Sequence, residues 1–551
     1  MSGRDVILAV DAGSSSVRCS AFHAVSASAG LEGGCDVVRK IECHSIKLDA
    51  LAPTTGRINI NAILDAVDVC VDETLESIRR LFPGGTARVV SIGMTTFCMN
   101  LVGVDQFGEP VGESATLSYA CNSERVAQEC LSLKQCLGEE RLATLHRRTG
   151  TNLHGSYAMP QLMAHYTDEV NHSVSEKIHR WQTISSLVLH RWSGDQKIRM
   201  PVSYSEASWT GMFNFSSCCW DSEVLELLNS CDCIRAYCGD SGIASVLPEL
   251  VDFDQVSSVA ISKMKEDGTP NKYWGMWPEL RSSAMHLGVG DGAAANLGSK
   301  CNGMDRIALT IGTSAAARMC IPYSVNEASS IYLPFGLWCY RVDRHRILIG
   351  GALTDGGSTI AWARALLNLD DDAFKQCLER ISNDYRSKLT SPADNRQVSM
   401  IPFLGGERST GFRTGARACV SNLTRDTTAA DLVFACLEGV VLRLHAVLGL
   451  IRHVRTTPTS PVVLVASGAA LEKNGLWRQM LADCTGMAVI MDEDSQEGTS
   501  RGVALLASSR SHEDERLVVG QKLTPNKFAR AYWDDSFSRQ EALIGAVSCT
   551  W

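Results

Sequence analysis

The sequence lacks the segments that mark membrane proteins and nucleic-acid-binding proteins. Among its 551 residues, no uninterrupted apolar run reaches the roughly 18 residues that a transmembrane helix needs. It has no basic stretch and no acidic tail, and its net charge is −9. We therefore expect neither nucleic acid nor a membrane as a partner. The first residues do not resemble a signal peptide and the last match no known C-terminal address, which favours the cytoplasm.

Two common chemical signatures are also missing. No Gly-x-x-x-x-Gly-Lys-Ser/Thr segment occurs, which excludes a P-loop nucleotide site. The 21 cysteines are an odd number, and the densest group lies between Cys218 and Cys238. That group contains no Cys-x-x-Cys pair and no histidine at zinc-finger spacing. Free thiols in a reducing compartment are therefore expected, rather than disulfides or a structural zinc.

The sequence does have an ordinary globular composition and enough length for two domains. Hydrophobic residues make up 45% and charged residues 21%, and 551 residues exceed what a single core usually holds. Strand and helix patterns alternate near the N-terminus and again after residue 306, which predicts an α/β fold. We predict an N-terminal domain over residues 1–300 and a C-terminal domain over 301–551. Helices are predicted over 61–81, 358–368, 371–387, 428–453 and 472–486, and strands over 87–94 and 461–466.

A short pattern that occurs twice is the most informative feature. Residues 6–22 and 306–322 each contain an apolar strand, a turn rich in glycine and hydroxyl groups, and a second apolar strand, which predicts two β-hairpins. The turn residues are Gly13, Ser14 and Ser15 in the first copy and Gly312, Thr313 and Ser314 in the second. Such turns can hold phosphate oxygens on N–H and O–H groups, although a plain serine-rich turn would explain one copy alone.

Two aspartates stand beside these turns and strand ends. Asp11 precedes the first turn where the second copy has Thr310, and a carboxylate beside phosphates can hold Mg²⁺ through waters. Asp291 follows an apolar strand and opens a helix, where it is either an N-cap or a general base at the mouth of a cleft. The overlapping Gly288-x-Gly290 pattern superficially fits a dinucleotide fingerprint, so a dehydrogenase is one alternative. No acid ends a strand about twenty residues later, which argues against it.

Two further strand–turn–helix segments are rich in small residues. The first contains Gly351, where glycine permits either close approach of a nucleotide or a tight turn. The second contains Gly468, Ala469 and Asn474, and its small residues at a strand end can admit a flat ligand such as adenine. Each segment alone is also typical of many α/β turns.

Taken together, these segments resemble the FGGY carbohydrate kinases of the actin-like ATPase group, over nearly the whole chain and in the family's order. The segments at Asp11 and at Ile311 resemble the two phosphate motifs, and the segment at Asp291 resembles the one that bears the catalytic base. The segment from Ser467 to Asn474 resembles the adenosine motif. The resemblance implies two actin-like, ribonuclease-H-like domains that flank an interdomain cleft, and it allows a homodimer.

The resemblance also implies roles for individual residues. Asp291 would accept a proton from the sugar hydroxyl that attacks ATP, and Asp11 would organise Mg²⁺. Contacts to ATP and its phosphates are implied for Gly13, Ser14, Ser15, Gly312, Thr313, Ser314, Gly351, Gly468, Ala469 and Asn474. A non-catalytic actin-like ATP-binding protein is the alternative of a different class, and the presence of Asp291 argues against it.

The acceptor is less well defined by the sequence. Residues 95–105 resemble the gluconokinase-like subgroup, which favours gluconate or another small open-chain sugar acid, sugar or polyol, with xylulose or another pentulose second. Met99 stands where the subgroup often has histidine, and Cys121 stands where the family often has aspartate. Contacts to the acceptor are implied for Thr96, Met99, Asn100, Cys121, Asn122 and Asp291.

Overall fold

The computed structural model describes residues 4–24, 38–121, 123–195, 197–256, 259–325, 331–390, 397–413, 415–454, 462–492, 497–508 and 522–551. Its strands are β1 (Arg4–Ala12), β2 (Ser16–Ala24), β3 (Val38–Lys47), β4 (Ala87–Thr96), β5 (Asn100–Val104), β6 (Thr116–Ser118), β7 (Arg180–Gln182), β8 (Val202–Ser203), β9 (Phe213–Asn214), β10 (Cys219–Trp220), β11 (Leu250–Val251), β12 (Ala284–Gly290), β13 (Arg306–Ile311), β14 (Ala315–Pro322), β15 (Trp338–Asp343), β16 (Arg346–Leu353), β17 (Ser399–Ile401), β18 (Cys419–Ser421), β19 (Val463–Ser467), β20 (Ala488–Met491) and β21 (Lys522–Leu523).

The helices alternate with these strands through both halves of the chain. They are α1 (Ile60–Leu81), α2 (Glu124–Thr149), α3 (Ala158–Thr167), α4 (His172–Ser175), α5 (Ile184–Ser193), α6 (Tyr204–Ser208), α7 (Ser222–Asn229), α8 (Asp232–Cys238), α9 (Lys272–Met276), α10 (Asp291–Gly298), α11 (Gly357–Leu366), α12 (Asp371–Thr390), α13 (Ala429–Val454), α14 (Ala469–Lys473), α15 (Gly475–Thr485), α16 (Gly498–Ala507) and α17 (Arg530–Val547).

The first large sheet has the strand order β12-β4-β1-β2-β3. β1 pairs antiparallel with β2, as predicted for a hairpin, and parallel with β4, which in turn pairs parallel with β12. The register aligns Ala12 with Thr96 and Thr96 with Gly290. The carboxyl ends of three parallel strands therefore meet at one edge of the sheet, which is where α/β proteins commonly bind ligands.

The second large sheet has the order β15-β16-β14-β13-β19-β20-β21. β13 pairs antiparallel with β14, so the second predicted hairpin is also confirmed, and β13 pairs parallel with β19. Helix α13 packs on one face of this sheet, and its side chains from Val433 to Ile451 belong to the second hydrophobic core. In the described part of the chain, α13 alone is long and apolar enough to span a membrane, but 78% of its most apolar window is buried.

The two faces of β14 point in different directions because side chains alternate along a strand. Ala315, Ala317 and Met319 pack into the core beneath α13. Cys320, on the alternate face, joins the core that contains the first sheet, together with Trp338 of β15. The second sheet therefore turns one face toward the first domain.

One late helix belongs to the first domain's core rather than to the second. Helix α16 packs against β1, β4 and α10, and its residues Val503 to Ala507 join the first core. Its crossing with α10 is so close that a Cβ on Gly298 would lie 1.7 Å from the carbonyl oxygen of Gly498. The predicted division at residue 300 did not anticipate this return of the chain, since hydrophobic periodicity does not show which sheet a helix covers.

Most of the predicted elements are present with small shifts at their ends. The predicted helices over 61–81, 358–368, 371–387 and 428–453 correspond to α1, α11, α12 and α13. The predicted helix over 472–486 is instead two helices, α14 and α15, because Asn474 adopts an extended conformation and caps α15. Its side-chain oxygen accepts a hydrogen bond from the Trp477 amide at 3.1 Å.

Candidate active site

The tip of the first hairpin is a compact turn with two unused amide groups. The Gly13 amide closes the turn by donating to the Ser16 carbonyl at 2.9 Å. The carbonyls of Ser14 and Ser15 accept hydrogen bonds from the chain at 48–50, and the Ser14 hydroxyl accepts one from Tyr119. Within the described ranges, the amides of Ser14 and Ser15 donate no backbone hydrogen bond, so they are available to an anion.

The tip of the second hairpin repeats this design. The Gly312 amide donates to the Ser314 carbonyl at 2.9 Å, and Thr313 and Ser314 are exposed. The start of α11 supports the tip, because the Gly356 amide donates to the Thr313 carbonyl and the Gly357 amide donates to the Gly312 carbonyl. A Cβ built on Gly312 meets no atom within 4 Å, so the tip borders open space.

The turn between β19 and α14 lies against this second tip. Gly468 has a φ of +100°, and a Cβ there would lie 2.4 Å from the Ile311 carbonyl oxygen, so only glycine fits. Ala469 follows and is exposed, and the Ser467 hydroxyl bonds to the Thr310 hydroxyl at 2.8 Å. The structure thus brings the second phosphate motif and the adenosine motif to one end of the sheet, while Asn474 is used as a helix cap.

Gly351 is placed elsewhere than expected. It lies inside β16, opposite Ala317 of β14, and is buried. A Cβ on it would lie 2.7 Å from the Val447 side chain and 2.8 Å from the Ser409 hydroxyl, so glycine is needed here for packing. The glycines of this segment that touch the second tip are Gly356 and Gly357, five and six residues later.

Asp11 and Asp291 lie at the shared edge of the first sheet. Asp11 is the penultimate residue of β1, and Asp291 follows the last residue of β12. Burial, together with the negative charges of Asp291 and Glu497, raises the pKa of Asp11 to about 6, and the positive charge of Arg18 opposes the rise. The two aspartates are therefore close enough to repel each other, an arrangement that a cation would relieve.

The carboxylate of Asp291 is held in place by two donors. Its Oδ1 accepts hydrogen bonds from the Gly292 amide at 2.7 Å and from the Cys98 thiol at 3.1 Å. Burial raises the pKa of Cys98 well above its usual range and Asp291 raises it further, so the thiol stays protonated and can donate. Asp291 itself is only partly buried.

Thr96 and Asn100, expected to contact the acceptor, belong to a buried hydrogen-bond network. The Thr96 hydroxyl donates to Glu206 at 2.9 Å and accepts from the Asn100 amide at 3.0 Å. The Asn100 oxygen accepts from the Ile184 amide at 2.9 Å. Thr96 is 1% exposed and Asn100 is 0% exposed, so both support the floor of the site rather than its surface. The buried carboxyl of Glu206 also accepts hydrogen bonds from Thr183 and Ser185.

The other expected acceptor contacts are likewise beneath the surface. Met99 is 1% exposed and adopts a φ of +54°, and Cys121 is 5% exposed. The Cys121 sulfur accepts a hydrogen bond from the Ser118 amide at 3.4 Å. Asn122 lies outside the described residues. The glycines of the apparent dinucleotide fingerprint are packing positions too, because a Cβ on Gly290 would lie 2.5 Å from Trp209.

Other side chains, not predicted from the sequence, lie near Cys98 and Asp291. The hydroxyls of Tyr157 and Tyr340 bond to each other across the two domains at 2.9 Å. Arg318 of β14 reaches the start of α10, since a Cβ on Gly292 would lie 3.5 Å from its Nε. Arg408 carries an exposed side chain on the loop before β18. Arg318 lies within the second predicted hairpin, but none of these four side chains was predicted as a site residue.

Both halves of the chain match a known protein family. Residues 6–251 match the N-terminal domain of the FGGY family of carbohydrate kinases, and residues 307–510 match its C-terminal domain. The gluconokinase of Bacillus subtilis (strain 168) is 24% identical over 511 residues, which cover 91% of this chain and 86% of the relative. The xylulose kinase of Staphylococcus xylosus is 23% identical over 473 residues, which cover 85% of this chain and 86% of the relative.

A solved structure shows the same fold. The crystal structure of gluconate kinase from Lactobacillus acidophilus matches with a TM-score of 0.76 and 19% sequence identity, covering 99% of this chain and 98% of that chain. The fold is therefore the predicted pair of actin-like α/β domains on either side of a cleft. Because the two family models together cover most of the sequence, and in the predicted order, the chain belongs to the FGGY family of carbohydrate kinases.

Proposed function

We propose that this protein transfers the γ-phosphoryl group of ATP to a hydroxyl of a small open-chain sugar acid, sugar or polyol, with gluconate-like acceptors favoured. The observation that carries the proposal is the meeting of Asp11, Asp291 and the tip of the first hairpin at one edge of the first sheet. Phosphoryl transfer depends mainly on positioning and charge neutralisation, and this edge offers both.

Asp291 acts as the general base. Its carboxylate takes the proton of the acceptor hydroxyl as that oxygen bonds to the γ-phosphorus, and the bond from phosphorus to the bridging oxygen of ADP breaks. The thiol of Cys98 and the amide of Gly292 fix one carboxylate oxygen and so aim the other at the acceptor. Both donors act as positioning groups, since neither contacts a reacting atom.

Asp11 is the residue that fits a Mg²⁺ ion. Mg²⁺ in kinases is commonly held by one or two carboxylates together with waters and substrate phosphates, so a dense cluster of protein ligands is not required. The raised pKa of Asp11 beside Asp291 marks a place where negative charge is uncompensated. When bound, Mg²⁺ would neutralise charge on the phosphates of ATP.

The second domain provides the ATP side of the cleft. The unused amides at Thr313 and Ser314 are suited to phosphate oxygens, and those at Ser14 and Ser15 are suited to the same group from the opposite domain. Gly468 and the exposed Ala469 leave room for adenosine next to the second tip. Gly13 and Gly312 close the turns that present these amides.

Xylulose or another pentulose is the second candidate acceptor, supported by the relative from Staphylococcus xylosus. The reaction is proposed for a reducing compartment, the cytoplasm, because all twenty described cysteines are free. A homodimer stays a prediction that sedimentation velocity can test.

The test is acceptor-dependent ADP release with Mg-ATP across gluconate, xylulose, ribulose, glycerol and erythritol. We expect one acceptor to stimulate ADP release strongly, and gluconate to be the best of the panel. ATP with Mg²⁺ should raise the melting temperature, whereas NAD should not. Binding of ATP without turnover of any acceptor would instead favour a non-catalytic nucleotide-binding protein.

A further inference from the structure

Two arginines of the second domain point to the chemical nature of the acceptor. Resting on the proposed kinase function, we propose that Arg318 and Arg408 bind a carboxylate of the acceptor, so that the enzyme selects open-chain sugar acids over neutral sugars and polyols.

Arg318 lies beside the catalytic base. It stands on the face of β14 that turns toward the first domain, opposite Gly350 in the neighbouring strand β16. A Cβ on Gly292 would lie 3.5 Å from the Arg318 Nε, and Gly292 directly follows Asp291. Arg318 therefore lies at the end of the cleft where Asp291 would meet the acceptor hydroxyl, four residues beyond Ser314 of the hairpin tip proposed for ATP phosphates.

Arg408 is presented by a loop that is fixed on both sides of it. The Ser409 amide donates to the Ala352 carbonyl at 2.9 Å, which pins the loop to β16. The carboxylate of Glu407 is buried and accepts hydrogen bonds from Arg413 at 2.6 Å and from the Gly411 amide at 3.0 Å. With both neighbours buried, the exposed Arg408 side chain is held ready for a ligand.

The charge of Arg408 acts on the acceptor side of the cleft. Burial raises the pKa of Tyr157, of Tyr340 and of Cys98, and the positive charge of Arg408 opposes each rise. Cys98 bonds to Asp291, and both tyrosines lie near Cys98. The phenols and the thiol stay neutral at pH 7, so they do not balance the charge of the two arginines.

The guanidinium groups of both arginines are available to a ligand. Among the described residues, neither side chain donates a hydrogen bond or forms a salt bridge, and Asp291 is the carboxylate that acts most strongly on Arg318. Asp355 lines the same small cavity as Arg408, but its oxygens accept hydrogen bonds from the Ser358 hydroxyl and the Gly405 amide. His154 is a further titratable group near Arg408, and burial lowers its pKa, so it is neutral. Neither guanidinium is therefore paired with a carboxylate of the described chain, and each can donate to an anionic ligand.

A carboxylate suits this arrangement better than a hydroxyl does. Guanidinium groups bind carboxylates through paired, charge-assisted hydrogen bonds, which are about twice as strong as neutral ones. A neutral polyol would leave a partly buried cation without a counter-charge, which is costly. The same cations could instead contact the transferred phosphoryl group, and the experiment below separates the two sources of negative charge.

The experiment compares gluconate with sorbitol, which has the same six-carbon chain but a hydroxymethyl group in place of the carboxylate. We expect the wild type to prefer gluconate. Arg408→Met and Arg318→Met should each lower kcat/KM for gluconate by about 10- to 100-fold, mostly through KM, and should shrink the preference over sorbitol. Arg408→Lys should recover part of the loss. Arg425→Met, an exposed arginine on the loop after β18, is the control and should retain the preference.

Three results would overturn the proposal. One is a wild type that turns over sorbitol as well as gluconate. Another is an equal loss for both acceptors in the two arginine variants, which would assign the arginines to the phosphoryl group. If the wild type phosphorylates no acceptor, the proposed function fails, and calorimetry of gluconate and sorbitol binding still tests the arginines: selective gluconate binding supports their role, and equal or absent binding rejects it. Thermal stabilisation by ATP confirms that each variant is folded.

Discussion

The two hairpins share a backbone design but differ in the charge they carry. In each, a glycine amide closes the turn, and the next two residues have amides that donate no backbone hydrogen bond within the part of the chain described. The first hairpin contributes Asp11, a carboxylate with a pKa of about 6. At the matching place the second has Thr310, whose hydroxyl is bonded to Ser467. The two halves thus share a turn suited to an anion, and the acidic group stands beside only the first.

The two tips also differ in what supports them. The first is tied to the chain at residues 48–50 of its own domain. The second is tied to the start of α11 and lies against the turn at Gly468. The second tip is therefore set among small residues that leave room for a nucleotide, whereas the first stands beside the acidic edge where Asp291 begins α10. We infer that acceptor chemistry and nucleotide binding are divided between the halves.

Among the substitutions in the two hairpins, replacing Asp11 should have the largest effect on turnover. Asp11→Asn is expected to lower turnover by about 100-fold or more, because the group proposed to organise Mg²⁺ is removed. The deficit should shrink at high Mg²⁺ concentration. Turnover against Mg²⁺ concentration is the measurement, and Asp5→Asn at the start of the same strand is the control. Turnover equal to that of the wild type would remove Asp11 from the site.

The same substitution should stabilise the unliganded protein. A carboxyl whose pKa rises from 3.8 to about 6 on folding binds its proton more tightly in the folded state. Ionisation therefore costs stability above pH 6, by up to about 3 kcal/mol, and costs nothing below pH 3.8. Asp11→Asn should raise the melting temperature more at pH 8 than at pH 5.5. An equal shift at both pH values would show that the charge of Asp11 is not the cause.

Crowding the second tip should weaken ATP binding without unfolding the protein. A Cβ on Gly312 meets no atom within 4 Å, so a valine side chain can be accommodated but would occupy the space beside the free amides. We expect Gly312→Val to raise the KM for ATP by about tenfold or more, while the KM for the acceptor stays unchanged. Gly449→Val in α13, where a Cβ also meets no neighbour, controls for valine in place of glycine. An unaltered KM for ATP would exclude this tip as a phosphate site.

The smallest effect on turnover is expected at Thr310, which occupies the place of Asp11 in the second hairpin. Thr310→Val removes one hydroxyl from the bond with Ser467, which should cost about 1 kcal/mol of stability and little turnover. A chemical denaturation curve and the turnover number measure the two effects. A loss of turnover as large as that of Asp11→Asn would show that the halves are functionally equivalent, contrary to our account.

The sequence predicted the parts of the site that are continuous along the chain. Both hairpins, Asp11 beside the first tip and Asp291 at a strand end were visible because turn chemistry and strand ends are local properties. Gly351 was predicted to contact ATP, whereas Gly356 and Gly357, which touch the second tip, were not. The burial of Gly351 against Val447 and Ser409 cannot be read from a glycine-rich segment.

The rest depends on tertiary packing. The burial of Thr96 and Asn100 follows from Glu206, more than one hundred residues away, whose carboxyl draws both into a network. The meeting of Arg318 and Arg408 near Asp291 needs a strand and a loop from different parts of the second domain. Helix α16 returns to the first core through contacts that no local pattern encodes.

The most direct test of the account is the rate of acceptor-dependent ADP release by Asp291→Asn, with ATP affinity measured on the same sample. We predict a rate lower by about 100- to 10,000-fold, because the proton acceptor is lost, and an ATP affinity equal to that of the wild type. A rate close to that of the wild type would contradict the assignment of Asp291 as the base, and with it the division of labour between the two halves.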